Sequence, residues 1–459
     1  MGFWITWALV PIVVEIIPAI MSTIKLMRLH RHMPRLKAPA KWPWVTIIVP
    51  VYNSEDTLFD CIRSIDHQTY DKKACKLFWR IIRVPMIVLG RMLAPKMRFL
   101  IYFYGMSILT RGKLALNAAI YESIGSYVIN IDSDGLLEPN AIKNMVLRFE
   151  NDEQIAAMTG AVLPQRNLVK QVHGWWHRLL AKNEYYEYAQ AFLSGRTIES
   201  FRDQLFTMSG AFSAFRREVL METFLYDTDT IGEDTDMTFQ IRTRLGKKVV
   251  ICADAIFYVA PISGFSELYT QRQRWQRGEL EVAQHYMSQT ASIKGFFKEF
   301  LVRRIMIDHT FTFPRMIWTF ATIVLIAFGY STVVVGLSYL LIYSLYVMVG
   351  VINFISVGIL LKPYPEERHF YKHLWWLTLT LPLYMFLTAW IRLIGVINAM
   401  TTQATWKMRG SPKNGNGCWP SYVMIGVQFT ITIDAGKENE LKRHVLADYK
   451  ISREVSGIS

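Results

Sequence analysis

The chain has 459 residues, 52% of them hydrophobic, with 14 Trp and a net charge of +14. That length accommodates one large domain or two ordinary ones. The charge suits an anionic membrane face or phosphorylated substrates; with no zinc-ligand spacing, basic heptad helix or RNA-binding aromatic signature, it argues against a nucleic-acid partner.

Residues 3–24 form an apolar run of spanning length, followed by Lys25, Arg28, His30, Arg31, Arg35 and Lys37. A cleavable signal would carry its charge before the run, so 1–27 is expected to be a transmembrane anchor whose C-terminal end is cytoplasmic. Trp44–Val51 (WVTIIVPV) reads as a buried strand entering a loop at Tyr52-Asn53-Ser54, and Glu55–His67 has helical spacing. Tyr127–Ile131 is a second such strand running directly into Asp132-Ser133-Asp134-Gly135, and Pro139–Glu150 reads as the next helix. Strands alternating with helices predict an α/β domain over 44–285 with a mainly parallel sheet, which places ligands at the carboxyl ends of its strands. The four cysteines (Cys61, Cys75, Cys252, Cys418) make no C-x-x-C pair and read as free thiols of a reducing compartment.

Gly295–Met306 mixes apolar and basic residues at helical spacing, so interfacial helices are expected over 286–310. The nearly uncharged stretch 311–361 is long enough for two spans around a turn near Gly329 or Gly336. A third apolar run, Leu374–Met400, follows the polar stretch Lys362–His373. C-terminal transmembrane helices are therefore expected over 311–400, and a polar tail over 401–459. The parity is awkward, because one span before the domain and three after it leave a Lys- and Arg-rich tail outside. Either the last run is re-entrant or interfacial, or 311–361 is not two spans.

Four segments carry candidate chemistry. Asp132 and Asp134 flank one residue at a strand end, where side chains two apart project to the same side and both carboxylates can reach one hard cation. Mg²⁺ or Mn²⁺ held there would neutralise a diphosphate leaving group; a plain turn uses the same residues. Gly232-Glu233-Asp234-Thr235-Asp236 opens a helix, and Asp234 is the candidate general base, although acidic residues also serve there as caps. In Gln271-Arg272-Gln273-Arg274-Trp275, Arg274 can fork onto diphosphate oxygens and the Trp275 indole offers a flat face for a sugar. A basic amphipathic helix lying on a membrane would look the same, with Arg272 and Arg277 in support. Thr207–Arg216 (TMSGAFSAFR) places Ser209-Gly210 where backbone could approach an acceptor.

In this order and spacing, with apolar segments following, the motifs VPVYN, D-S-D, S-G-A-F-x-A-F-R, G-E-D and Q-x-x-R-W resemble those of the family-2 inverting glycosyltransferases. The likeness is to the membrane-bound branch of cellulose, hyaluronan, chitin and poly-N-acetylglucosamine synthases, and within it to the bacterial exosortase-associated subgroup. It implies a GT-A α/β fold on the cytoplasmic side of a multi-pass cell-membrane protein. The implied activity is transfer of a hexosyl or N-acetylhexosaminyl group from a UDP-sugar to a growing polysaccharide or lipid-linked acceptor. Asp132 and Asp134 would hold the Mg²⁺ or Mn²⁺, and Asp132, Tyr52, Glu55 and Lys113 would contact the donor. Asp234 would be the base, and Ser209, Gly210, Glu233, Gln271, Arg274 and Trp275 would contact acceptor and diphosphate. Membrane lipids, a second copy or an accessory export subunit are the implied partners.

One stretch departs from the family pattern. Lys72–Lys113 holds ten Lys or Arg and no Asp or Glu, where such enzymes carry an acidic turn against the nucleotide. The pattern returns at Gly112-Lys113-Leu114-Ala115-Leu116-Asn117. An inserted membrane-lying basic hairpin, a divergent nucleotide site, and a stretch translated out of frame all fit. The alternative function is a catalytically impaired scaffold or partner subunit of a polysaccharide assembly system.

Overall fold

The computed structural model describes residues 12–32, 36–51, 54–70, 75–81, 100–105, 112–227, 230–287, 324–401 and 428–431. A nine-stranded mixed sheet is its frame, ordered β5-β8-β6-β7-β4-β1-β2-β3-β9. The strands are β1 (Val45–Val51), β2 (Cys75–Ile81), β3 (Leu100–Gly105), β4 (Tyr127–Ile131), β5 (Leu136–Leu137), β6 (Ile155–Pro164), β7 (Phe212–Arg216), β8 (Lys248–Val259) and β9 (Gln428–Ile431).

The β-branched runs form the centre because both of their faces are covered. Every residue of β4 and β6 is buried, as is most of β1, and strands buried on both faces read as continuous apolar runs. Helix α1 is Ile17–His32 and α2 is Glu55–Asp66, which buries Leu58, Cys61, Ile62 and Ile65, one face at i, i+3, i+4 and i+7. Helix α3 is Gly112–Tyr121, and α4 (Ala141–Asn151) buries Ala141, Ile142, Met145, Val146 and Phe149 in the same way.

β4 pairs in parallel with β1 but antiparallel with β7, and β6 is antiparallel to β7 yet parallel to β8. The Thr207–Arg216 segment thus supplies the strand that reverses direction between β4 and β6. Within the basic stretch, β2 and β3 extend the sheet in parallel from β1, so they do not form a hairpin with each other. β9, from the polar tail, closes this edge antiparallel to β3, pairing Ile101 with Ile431.

Between β6 and β7 lie α5 (Arg166–Gln171), α6 (Trp175–Tyr188), a π-helical stretch Ala189–Gly195 and α7 (Arg196–Phe201). α8 (Arg217–Glu222) and α9 (Glu233–Phe239) precede β8, and α10 (Phe265–Met287) follows it. The C-terminal helices are α11 (Thr332–Leu360), α12 (Pro365–His373) and α13 (Leu377–Thr401). α11 and the Leu377–Asn398 part of α13 are long and apolar enough to cross a membrane by length and composition. A turn at Gly329, with φ +84°, precedes α11.

These helices do not form a separate body. Val357, Phe370, Tyr371, Leu381 and Ile391 belong to one buried apolar cluster with the sheet residues Ile47, Ile129 and Phe257. Polar ties reinforce it: Arg166 pairs with Glu366 and Glu367, Tyr185 Oη donates to Glu367 at 2.7 Å, and Tyr364 Oη to the Asp254 carbonyl at 2.7 Å.

Glu184 on α6 is buried, and its carboxylate accepts from the Ile262 N–H at 2.8 Å. Burial pushes this carboxyl up to about 8, against the hydrogen bond and Arg272, which favour the charged form. The folded state therefore holds a proton that the unfolded chain releases nearer the ordinary glutamate value. Stability is full below that value and falls as pH rises towards 8. Glu184→Gln should flatten this slope between pH 5 and 8 in melting curves of the purified protein.

Candidate active site

The D-S-D turn begins where β4 ends, beside the carboxyl end of its parallel neighbour β1. It is held from two sides. Thr57 Oγ1 donates to the Ser133 carbonyl at 3.1 Å and Ser133 Oγ to Ser54 Oγ at 2.7 Å, which ties it to the start of α2. On the other side the Asp132 N–H donates to the Ala211 carbonyl at 2.9 Å, leading into β7. With the main chain fixed, Asp132 is half-buried and Asp134 exposed.

The G-E-D turn meets this one across the same strand ends. Asp234 Oδ2 accepts from the Gly210 N–H at 3.2 Å and Oδ1 from the Thr235 N–H at 2.7 Å. Gly210 in turn accepts from Asn130 Nδ2 at 3.0 Å, so one β4 side chain links the two turns. Asp236 is engaged elsewhere: Gln240 Nε2 donates to it at 2.7 Å and Tyr286 Oη at 2.9 Å. Of the three acids in this motif, Glu233 and Asp234 are the ones whose charge acts on Asp132.

Electrostatics bring the motifs into one field. Burial pushes the Asp132 carboxyl up to about 7; Asp134 adds to the shift, Arg274 opposes it, and Glu233 and Asp234 contribute more negative charge. The Asp134 carboxyl, exposed at the surface but partly desolvated by the walls of the cleft, is also raised, with a backbone hydrogen bond and Arg274 opposing. Among the described residues, these four carboxylates outnumber the Arg274 and Arg196 guanidinium groups in their field, which suits a divalent cation. Among the described residues no three His, Cys, Asp or Glu side chains converge as a cage. Two carboxylates completed by substrate phosphates is how Mg²⁺ is commonly bound.

Helix α10 carries Q-x-x-R-W and lies against the G-E-D turn with no side chains between them. A Cβ on Gly232 would sit 2.7 Å from the Gly278 carbonyl oxygen, and one on Gly278 2.9 Å from the Gly232 Cα. Glu281 locks the contact by accepting from the Ile231 N–H at 2.9 Å. Gly278→Ala removes a helix-weakening glycine, worth about 1 kcal/mol towards helix stability. The backbone clash should outweigh that gain and lower the melting temperature of the purified protein.

Arg272 points inward, to Glu187 on α6, and its guanidinium lies 4.5 Å from the centre of the Trp275 ring. It therefore fixes Trp275 and does not face a membrane; Arg277 likewise pairs with Glu281 at 3.4 Å. Trp275 keeps 40% of its surface exposed, with Tyr188 tilted beside it at 6.1 Å between ring centres. Arg274 is exposed, Gln271 and Ser209 are half-buried, and the Ser209 N–H donates to Thr159 Oγ1 at 3.0 Å. Gly210 is not sterically required, since a Cβ there would meet only Asp234, at 3.7 Å. Tyr52 and the side chains of Glu55 and Lys113 lie outside the described residues; Glu55 opens α2 and Lys113 lies in α3.

Arg196, Asn130, Gly278 and Glu281 join the site without a motif to announce them. Arg196 follows the π-helical stretch, stacks 4.1 Å from the centre of the Phe192 ring, and lies in the field of Asp234 and Glu279. The extra residue of a π turn changes which way a side chain points and leaves no periodic trace.

Residues 106–278 match the family model described as glycosyltransferase like family 2. The segment 106–278 is therefore similar to the glycosyltransferase family-2 domain. The match begins just after β3, close to the point where the family pattern returns. A poly-β-1,6-N-acetyl-D-glucosamine synthase of Staphylococcus aureus (strain MSSA476) is 24% identical to this chain over 261 residues, covering 55% of this chain and 58% of that protein. One of Staphylococcus epidermidis is 25% identical over 173 residues, covering 38% and 40%. The chain thus spans about 40% to 58% of the length of these curated relatives. Among solved structures, a mannosyltransferase from Pyrobaculum calidifontis in complex with GDP-Man and Mn²⁺ superposes with a TM-score of 0.57 at 15% identity. That likeness covers 86% of this chain and 99% of that one, and the shared fold is GT-A.

Proposed function

We propose that this protein is an inverting glycosyltransferase that moves a sugar from a UDP-sugar to a growing polysaccharide or lipid-linked acceptor at a cytoplasmic membrane face. One observation carries the reading: Asp132, Asp134, Glu233, Asp234 and Arg274, from three separate motifs, share one field at the carboxyl ends of β4 and β1. An acidic pair suits a metal, a second acidic pair supplies a base, and the Arg274 guanidinium suits a diphosphate leaving group.

In this reading Asp132 and Asp134 hold Mg²⁺ or Mn²⁺, which when bound offsets charge on the diphosphate. Arg274 forks onto the same diphosphate and stabilises the leaving group as it forms. Trp275, fixed by Arg272, carries the acceptor sugar on its exposed face. Asp234 takes the proton of the acceptor hydroxyl while its oxygen attacks the anomeric carbon; the bond to the diphosphate breaks and its electron pair leaves on UDP. The Gly210 N–H and Thr235 N–H aim the Asp234 carboxylate. The apolar run at residues 3–24 and helix α11 hold the catalytic domain at the membrane.

The test supplies a panel of labelled UDP-linked hexoses and N-acetylhexosamines, with GDP-mannose as a control, to membranes containing the protein. Incorporation from a UDP-sugar that needs Mg²⁺ or Mn²⁺ and disappears in Asp132→Asn and Asp134→Asn is the expected result. Equal incorporation by wild type and both variants would instead leave a scaffold. Polymer and single-sugar products separate the two acceptor classes.

A further inference from the structure

We infer that helix α13, apolar and long enough to span a bilayer, instead lies flat in the leaflet on the catalytic side, between the glycosyltransferase domain and the lipid. The inference rests on the membrane reading given above and concerns one helix within it.

Both ends of α13 are fixed to the catalytic domain. Before it, α12 is tied to α5, α6 and β8 through Arg166, Tyr185 and Tyr364. At its far end the Ile391 carbonyl accepts from Gln273 Nε2 at 2.8 Å, and Asn398 Nδ2 donates to Gln273 Oε1 at 3.3 Å. Beyond it, β9 is an edge strand of the catalytic sheet. A helix that begins and ends on one side of a bilayer has not crossed it.

The contacts between those ends are polar and continuous. Thr380 Oγ1 donates to Asn183 Oδ1 at 3.1 Å and Tyr384 Oη to Glu187 at 3.2 Å. Arg392 Nε donates to Gln276 Oε1 at 2.7 Å, and its Nη2 lies 3.4 Å from Glu279. From Thr380 to Asn398 is roughly 27 Å of helix at 1.5 Å per residue, close to the bilayer core thickness of about 30 Å. If that length crossed the core, it would carry the charged groups of α6 and α10 in with it, at several kcal/mol each by order of magnitude.

The opposite face is apolar and uncovered. Leu379, Leu383, Phe386, Ile394 and Ile397, at spacings of four, three, eight and three residues, are exposed, Leu383 by 62%, while Leu381, Tyr384, Thr388 and Ile391 line the buried face. This is the arrangement of an interfacial helix, with one face in the acyl boundary and one on protein. The lipid surface is its natural cover because the neighbouring α11 also exposes Val333, Leu340, Met348 and Ile355. With α13 in-plane, the spans after the catalytic domain can be even in number, and the basic tail stays on the catalytic side.

Spin labels decide this in the full-length protein, reconstituted in phosphatidylcholine–phosphatidylglycerol vesicles with Cys75→Ser and Cys418→Ser and the buried Cys61 and Cys252 left in place. Leu379→Cys, Leu383→Cys, Phe386→Cys, Ile394→Cys and Ile397→Cys are each compared, by oxygen and nickel-complex accessibility, with Val333→Cys, Leu340→Cys and Met348→Cys. Near-equal, shallow depths along α13 beside steadily changing depths along α11 are expected. A profile along α13 that is deepest near Phe386 overturns the inference, as do water-exposed labels on α13 alone. Water-exposed labels on both helices overturn the membrane reading itself.

Discussion

Replacing Asp234 by Asn should lower kcat for sugar transfer about a thousandfold, within the range that a positioned general base supplies. The fold should survive, because an asparagine still accepts from the Thr235 N–H; losing the charged bond from the Gly210 N–H costs about 1 kcal/mol. Asp236 provides the control two residues away. Its bonds from Gln240 and Tyr286 are structural, so Asp236→Ala leaves buried donors unmatched and should destabilise by about 1–3 kcal/mol. Steady-state rates and melting curves measured on both variants separate the roles. A cap acting only on the helix would make the two behave alike, with activity following stability.

Arg272→Ala should have the largest effect on stability. The Arg272 and Glu187 side chains are only 9% and 16% exposed, and removing one partner of a buried pair typically costs about 3–5 kcal/mol. For a domain of this size that corresponds to a fall in melting temperature of about 6–20 °C. Pairing Arg272→Met with Glu187→Leu removes the uncompensated charge and should recover most of the loss. The double variant should still bind acceptor weakly, because the guanidinium that fixes the Trp275 ring remains absent. A rise in the acceptor KM at near-normal stability is the expected reading; a normal KM would remove Arg272 from the site.

Much of this was legible in the chain. Tyr127–Ile131 reads as a strand with the bounds it has, since a β-branched run ending in a polar turn has few other homes. Glu55 opens a helix as its spacing predicts, and the GT-A fold follows from the motif order. What could not be read depends on contacts distant in sequence. The direction of β7 is set by its partners β4 and β6, not by its composition. Arg272 and Arg274 lie on different faces of one helix, and periodicity does not say which face is turned inward. Gly278 is unremarkable until Gly232 is laid against it. An apolar helix laid along a protein has the same composition as one that crosses a bilayer.

The shared cluster of sheet and C-terminal helices bears on how the molecule can be taken apart. Ile47, Ile129 and Phe257 from the sheet belong to the same core as Val357, Tyr371, Leu381 and Ile391. Cutting the chain after Met287 to obtain a soluble enzyme would therefore open the catalytic core itself, uncovering Tyr185 and Tyr186 where Phe370 and Tyr371 now pack. The C-terminal helices complete the enzyme, and purification has to keep the two together.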